Sequence, residues 1–258
     1  MGRSRLFFLI TLCVTFNVSA AHSDRPAEPN GSAQIASPDS GAPNRFQSHP
    51  PADFSRFKDV PIVTVHQLKH SPPRQARKAY SKGRHYLEKQ EFDEAITCLS
   101  EAVAIDPEYT AAHNDLAVVY IRRGKTDKAI PLLNSAINID PYWGLAYFNL
   151  VIAYLSANDL SQAETTARRM AAIDAGSPQT GFVLGLSLTM ENRFTTETQA
   201  ALTQGEPMFP EAGLLLGRIL AGRGETQAAK VKILAYLASP AVWGREMAGE
   251  WLALLDGK

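Results

Sequence analysis

Cysteine is scarce in this chain, and neither sign of charge is in excess. The full sequence of 258 residues contains two cysteines, with 26 basic and 26 acidic side chains. Two cysteines exclude a framework held by several disulfides and any cysteine-rich zinc or iron–sulfur site. Balanced charge argues against a nucleic-acid-binding protein, because such proteins neutralise many phosphates with Lys and Arg.

Sequence motifs of catalysis are also missing. The chain contains no His-Glu-x-x-His, Gly-x-Ser-x-Gly or Gly-rich phosphate-binding motif. His66 and His70 are four residues apart, but no third metal ligand is near them in the sequence. A cluster of carboxylates is typical of a solvated helix end and turn: Glu88, Glu91, Asp93 and Glu94. We therefore predict a protein that is not an enzyme and has no metal site or cofactor.

The N-terminus resembles a secretory signal peptide. Arg3 and Arg5 precede an apolar run over residues 6–16, and small residues follow it. This order predicts a signal peptide over residues 1–20 that is cleaved after Ala20. The alternative is an uncleaved membrane anchor, but spanning a bilayer takes about 20 apolar residues, and Asn17 and Ser19 interrupt the run. We expect a bacterial protein exported to the periplasm or secreted, with membrane contact only if the signal segment is retained.

Two different segments follow the signal peptide. Residues 21–58 are rich in Pro, Ser and Asn and poor in large apolar residues, which predicts a disordered linker. Residues 59–72 form a short lead-in segment, in which the alternating pattern of residues 60–68 predicts an extended strand. A single strand needs something to pair with or to lie against.

The remainder of the chain repeats itself. Ile-Asp recurs at 34-residue intervals, in Ile105-Asp106-Pro107, Ile139-Asp140-Pro141 and Ile173-Asp174-Ala175. A second register marks a turn inside each unit, at Gln90, Gly124, Asn158, Asn192 and Gly224. Gly and Asn tolerate the left-handed conformation that closes a helix, so each unit is predicted to be two helices joined by a tight turn.

Small and aromatic residues recur in the same register. Small residues are expected where the two helices of a unit approach closely, as at Gly83, Ala117, Gly185 and Gly217 on the first helix and at Ala95, Ala129, Ala163 and Ala229 on the second. Tyr86, Tyr120 and Tyr154 follow one helical turn after the first set.

This pattern resembles the tetratricopeptide repeat (TPR), a unit of 34 residues. The copies run Lys82-Gly83-x2-Tyr86…Ala95-x3-Leu99…Pro107, Leu116-Ala117-x2-Tyr120…Ala129-x3-Leu133…Pro141, Leu150-Val151-x2-Tyr154…Ala163-x3-Ala167, Leu184-Gly185-x2-Leu188 and Leu216-Gly217-x2-Leu220…Ala229-x3-Ile233. The fourth copy departs from the pattern, because Glu197 occupies the place of the usual alanine and the unit is two residues short. His113 takes the place of a favoured aromatic residue, which indicates a packing role.

The resemblance implies an all-α superhelical solenoid of about five helix pairs over residues 73–240. The expected units are residues 73–107, 108–141, 142–175, 176–207 and 208–240. A stack of repeats needs a terminal cap, and residues 241–258 are expected to supply it through the stripe Trp243, Met247, Trp251 and Leu254 or Leu255. Cys98 lies on a packing face, where a buried and inert thiol is expected.

In TPR superhelices the first helix of each pair lines a concave groove. The resemblance therefore implies a partner-binding groove that is apolar in its middle and polar or basic toward one end. Its residues are Tyr80, Arg84 and Leu87 in the first unit, Asn114, Val118, Ile121 and Arg122 in the second, Leu145, Phe148, Ile152 and Leu155 in the third, and Phe182 and Leu186 in the fourth, which also contributes Met190.

Three functions follow from this surface. The first is an exported, non-enzymatic scaffold or adaptor that binds a protein or peptide in the groove. In the second, residues 57–68 fold back and fill the groove, as a regulatory or structural device. The third is a small-molecule carrier or an enzyme without a recognisable motif.

Overall fold

The computed structural model describes residues 64, 66, 69–240 and 244–256. The signal peptide, the linker, most of the lead-in segment and Trp243 of the capping stripe lie outside the described residues. At the described positions of the lead-in segment, the His70 backbone N–H donates to the carbonyl of His66 at 2.8 Å, the bond of a helical turn.

Eleven helices make up the described part of the chain. The first six are α1 (Arg74–Glu88), α2 (Phe92–Ile105), α3 (Thr110–Arg122), α4 (Thr126–Ile139), α5 (Gly144–Ser156) and α6 (Leu160–Ile173). The last five are α7 (Pro178–Met190), α8 (Thr196–Gly205), α9 (Pro210–Gly222), α10 (Thr226–Ala238) and α11 (Arg245–Leu255). No strand occurs among the described residues.

The helices stack as five consecutive pairs followed by α11. Each odd-numbered helix from α1 to α9 packs against the even-numbered helix that follows it and also against the next odd-numbered helix. The odd-numbered helices therefore form one continuous inner row. One hydrophobic core runs along this row, from Leu87 in α1 to Ile219 in α9. The predicted all-α solenoid of about five helix pairs is confirmed.

The turn inside each pair has the left-handed conformation that the sequence predicts. Gln90, Asn158 and Asn192 have φ angles of 62°, 61° and 58°, and Gly124 and Gly224 have 69° and 78°. Glutamine has a Cβ that disfavours this region. Gln90 nevertheless adopts it, because only residues 89–91 connect the paired helices α1 and α2.

Small residues on the inner helices allow close contact with the outer helices. A Cβ added to Gly83 would lie 2.7 Å from Cγ of Leu99, and one added to Gly185 would lie 2.7 Å from Cγ of Leu202. A Cβ added to Gly217 would lie 2.9 Å from Cγ1 of Ile233. The same inner–outer contact is thus built three times, in the first, fourth and fifth pairs.

The fourth pair contains a register shift that the sequence pattern did not reveal. α8 begins four residues after Asn192, whereas α2 begins two residues after Gln90. Thr195 caps α8 in a capping box with Thr198. The longer turn places Thr198, which is fully buried, where the other outer helices have a buried alanine. Glu197 is exposed and pairs with Arg168 at 2.8 Å, so its alignment with the repeat alanine was wrong by one residue.

A repeated hydrogen bond ties each of two inner helices to the loop before it. Nε2 of His113 lies 2.9 Å from the carbonyl oxygen of Pro107. Tyr147, one repeat later, donates its hydroxyl to the carbonyl of Pro141 at 3.1 Å. The packing role predicted for His113 agrees with this contact and with its burial.

The last helix covers the end of the stack. α11 packs on α10 and α9 and contributes Met247 and Ala248 to a second core cluster, with Leu214, Ile233 and Tyr236. Trp251 and Leu255 are partly buried against that cluster. Leu254 remains 72% exposed, so Leu255 is the residue of the pair that continues the stripe.

We expect Gly185→Ala to destabilise the protein by about 1–3 kcal/mol, because the added methyl group must displace Leu202 at a close helix crossing. Gly222→Ala is the matched control, since a Cβ there meets nothing within 4 Å. The free energy of unfolding from urea titration measures both. Equal effects of the two substitutions would contradict the close-packing argument.

Glu211 in α9 makes stability depend on pH. Burial raises the pKa of Glu211, so the folded protein binds its proton more tightly than the unfolded chain does. The contribution of Glu211 to stability is therefore fully present below the unfolded glutamate pKa of about 4.3 and is lost as pH rises through the higher folded value. We expect the difference in unfolding free energy between Glu211→Gln and the parent to shift in favour of the variant as pH rises from 4 to 7. Glu101→Gln, on the exposed face of α2, is the control, and an equal gain there would contradict this assignment.

Candidate binding surface on the inner helices

The sequence-predicted groove residues lie on α1, α3, α5 and α7, which are adjacent in the inner row. The structure therefore brings helices of four repeats side by side, although the residues are spread over more than 100 positions of the chain. They divide by environment into an apolar set and a polar set.

The apolar set is buried. The sequence predicts exposed apolar surface here, but each of these side chains is at most 3% exposed: Leu87, Val118, Ile121, Phe148, Ile152, Leu155, Phe182 and Leu186. Leu145, in the first turn of α5, and Met190, at the end of α7, are half-buried. The expectation of an open apolar groove is therefore wrong for the structure as it stands.

An aromatic residue from the fifth pair covers part of this set. Phe209, in the loop before α9, stacks on Phe182 with ring centroids 4.3 Å apart and an interplanar angle of 10°. Its ring also lies 5.8 Å from that of Phe148. Three successive repeats thus share one aromatic stack, which the repeat pattern does not indicate, because Phe209 lies outside the helices.

The polar set forms a network at the N-terminal end of the inner row. Tyr80 donates its hydroxyl to Oδ2 of Asp115 at 2.8 Å, and Nε of Arg84 lies 3.8 Å from the same oxygen. The guanidinium of Arg84 also lies over the Tyr80 ring, 5.9 Å from its centroid. Asp115 was not among the sequence-predicted site residues, yet it connects α1 to α3.

The network continues to α5 through two amides. Asn114 donates to Oδ1 of Asp115 at 3.1 Å, and Asn149 donates to the Asn114 side-chain oxygen at 2.8 Å. Both asparagines are almost fully buried, with exposed fractions of 2% and 0%. Arg122, at the end of α3, is half-buried beside Asp115, whose charge acts on it.

Burial dominates the electrostatics of this network. Burial and then the charge of Asp115 raise the pKa of Tyr80 well above its ordinary value. Burial also raises the pKa of Asp115, against the hydrogen bond from Tyr80 and the charge of Arg84. Burial lowers the pKa of Arg122, and Asp115 opposes that shift. Polar groups withdrawn from water in this way are costly unless paired, so the network specifies the arrangement of three inner helices.

The lead-in segment makes side-chain contacts with the loops between repeats. The Thr64 hydroxyl donates to Asp140, and both side chains are buried. Nε2 of His70 lies 2.8 Å from Oδ2 of Asp106. Both aspartates belong to the Ile-Asp register described above. The register was visible in the sequence, but its role in binding the lead-in segment was not.

A third potential metal ligand lies beside His66 and His70. Each of His66, His70 and Glu108 offers one ligand atom, and these atoms lie within 4.8 Å of one another. No third ligand was evident near the histidine pair in the sequence, because Glu108 is 38 positions after His70 and the fold alone brings it there.

Other side chains singled out in the sequence have simpler environments. Glu88, Glu91, Asp93 and Glu94 are all exposed at the first turn, and Asp93 pairs with Arg123 at 3.1 Å. Cys98 is a buried free thiol, as expected for a packing position. Among the described helices, none combines the length and apolar character that crossing a membrane requires.

Comparison with known proteins adds a family likeness. Residues 86–141 and 121–179 match the family model of the tetratricopeptide repeat. These stretches run from the end of α1, in the first pair, to the start of α7, in the fourth, where the 34-residue register is clearest. No curated protein sequence matches the chain.

Solved structures share the fold at low sequence identity. A thermophilic TPR protein of Thermus thermophilus is 17% identical, with a TM-score of 0.58 over 69% of this chain and 99% of that chain. PilF of Pseudomonas aeruginosa is 20% identical, with a TM-score of 0.61 over 70% and 85%. A chain of the Cut9–Hcn1 hetero-tetramer of the APC/C is 16% identical, with a TM-score of 0.62 over 70% of this chain and 36% of that chain. At these identities the likeness concerns the fold.

Proposed function

We propose that this TPR solenoid is a non-enzymatic scaffold that binds a peptide or a helix of a partner protein across its inner row of helices. TPR folds are commonly protein–protein interaction scaffolds, which supports the general class. The observation that carries the proposal here is the polar network of Tyr80, Arg84, Asn114, Asp115 and Asn149, because it interrupts an otherwise apolar inner face.

The chemistry of this network favours a partner segment with exposed carboxylate or carbonyl oxygens. Arg84 and Arg122 are half-buried on adjacent inner helices beside Asp115, and the charge of Glu88 also acts on Arg84. Guanidinium groups present several donors in a fixed plane and bind oxygen acceptors well at partly buried sites.

Apolar anchors would complete such an interface. Leu145 on α5 and Met190 on α7 are half-buried on the same row of helices and offer apolar contact. A partner helix lying along the row would meet polar groups at one end and apolar groups at the other, which gives it a direction. Among solved structures of this fold, the Cut9–Hcn1 hetero-tetramer is an assembly of different proteins.

A second function follows from the lead-in segment. The buried Thr64–Asp140 contact and the His70–Asp106 contact attach this segment to the solenoid at two successive repeats. If the segment around residues 57–68 regulates access to the inner helices, loosening it increases partner binding.

Position-specific photo-cross-linking in the native cell tests the binding surface. We expect a photoreactive amino acid at Leu145 or Met190 to capture a defined partner, because both positions lie on the inner row. The same residue placed at Lys128, on the exposed side of α4, is the matched control. Arg84→Gln should reduce capture about tenfold, the effect of losing one hydrogen bond to a charged group.

The cross-linking results distinguish partner binding on the inner row from regulation by the lead-in segment. Capture from Lys128 as efficient as capture from Leu145 would place the interface elsewhere and contradict the proposed surface. Thr64→Val removes the contact of the lead-in segment with Asp140. If capture from Leu145 rises in that variant, the lead-in segment competes with the partner; if capture is unchanged, the segment has no regulatory role.

We also propose that the protein is exported, with a signal peptide that is removed. The support is the order of charged, apolar and small residues over positions 1–20. We expect the protein isolated from its native cell to begin at Ala21, as measured by the intact mass and the mass of the N-terminal peptide. A mass that includes residues 1–20 in a membrane fraction would instead indicate an anchored protein.

A further inference from the structure

The contact between the lead-in segment and the loop after α2 has the geometry of a metal-binding site. His66 and His70 are separated by one helical turn, since the His70 N–H donates to the His66 carbonyl at 2.8 Å. Residues four apart lie on one face of a helical turn. Their imidazole rings stack with centroids 5.1 Å apart and an interplanar angle of 23°. Two imidazoles are thereby presented on the same side of the segment.

A buried carboxylate fixes the orientation of one of these rings. Nε2 of His70 lies 2.8 Å from Oδ2 of Asp106, which is 6% exposed. A carboxylate accepts hydrogen bonds, so a neutral His70 ring that donates to it from Nε2 has its lone pair on Nδ1, where it can bind a metal ion. The other oxygen of Asp106 accepts the Glu108 backbone N–H at 3.2 Å. A histidine bound to zinc commonly donates its second ring N–H to a carboxylate, a backbone carbonyl or a water.

The third side chain faces the nitrogen that is left without a proton. Oε2 of Glu108 lies 3.7 Å from Nδ1 of His70. Two ligands that are each about 2.0–2.1 Å from a tetrahedral zinc ion lie about 3.4 Å apart. A small rotation of the exposed Glu108 side chain would therefore bring its Oε2 to the distance from Nδ1 of His70 that two zinc ligands have. All three ligand atoms, including that of His66, lie within 4.8 Å of one another.

We propose that His66, His70 and Glu108 bind a divalent transition-metal ion, with Zn²⁺ as the expected species and Asp106 as a positioning residue. Two imidazole nitrogens and one carboxylate oxygen suit Zn²⁺ and its late first-row neighbours better than Mg²⁺ or Ca²⁺, which prefer oxygen ligands. Three protein ligands leave a fourth position for water or for a group of a partner.

Such an ion would link two parts of the chain that are far apart in sequence. His66 and His70 belong to the lead-in segment, whereas Glu108 belongs to the loop between α2 and α3. Metal binding would therefore fasten the lead-in segment to the first two repeats. This adds to the contact that Thr64 makes with Asp140 one repeat farther along.

Titration of the metal-free full-length chain with Co²⁺ and then with Zn²⁺ tests the site. We expect one equivalent of Co²⁺ to give the visible absorption of a protein-bound ion and one equivalent of Zn²⁺ to displace it. Binding should weaken in acid, because protons compete for the ligand atoms. Glu108→Gln and His66→Gln should each raise the Kd for Zn²⁺ at least tenfold, as loss of even a supporting partner does in known zinc sites.

Matched substitutions separate this site from other histidines and carboxylates. His85→Gln and Glu101→Gln alter exposed side chains on α1 and α2 and should leave the Kd unchanged. Circular dichroism of each variant confirms that it is folded, and Glu108 is exposed enough that its replacement does not disturb the core. The proposal is overturned if the parent gives no saturable Co²⁺ absorption. It is also overturned if Glu108→Gln and His66→Gln bind Zn²⁺ as tightly as the parent.

Discussion

The structure depends on the burial of apolar surface between neighbouring helix pairs. No pair shields its own apolar face, so every repeat is stabilised by contact with the next, as in other stacked repeats. The glycine positions set how closely this occurs within a pair, since Gly83, Gly185 and Gly217 each face a large side chain across the crossing. The same contact continues to the end of the stack, where α11 covers Ile233 and Tyr236.

This packing also determines which side chains of the inner row are exposed. The inner row contributes its largest apolar residues to the core, and Phe209 from the next repeat stacks over two of them. What remains distinctive on the row is the network centred on Asp115, together with half-buried Leu145 and Met190. The recognition surface that we propose is therefore polar at one end and apolar at the other.

The helix pairs could be predicted from the sequence because their determinants are local. The left-handed turn residues and the small residues at the crossings are fixed by backbone sterics at single positions, and both recur at a constant period. Periodicity also identifies which face of a helix is inward, but it does not say what covers that face. For this reason Phe148 and Ile152 were expected on an open groove and are buried.

Features that depend on long-range contact could not be predicted in the same way. Because the turn before α8 is longer and Thr195 forms a capping box with Thr198, the buried position that alanine occupies in the other outer helices is at Thr198 and not at Glu197. The association of Glu108 with His66 and His70, and of Thr64 with Asp140, arises only when the lead-in segment meets the loops between repeats. The repeated aspartates were visible in the sequence, but their partners are non-periodic.

Hydrogen exchange resolved along the chain shows whether each helix pair is stabilised by its neighbours. Because α3 to α7 have packed repeats on both sides and the terminal elements have one, we expect the slowest backbone exchange in α3, α5 and α7. We expect faster exchange toward α1 and α11. Exchange in α1 and α11 as slow as in α5 would show that the helices unfold as one cooperative unit, and would contradict stabilisation of each pair by its neighbours.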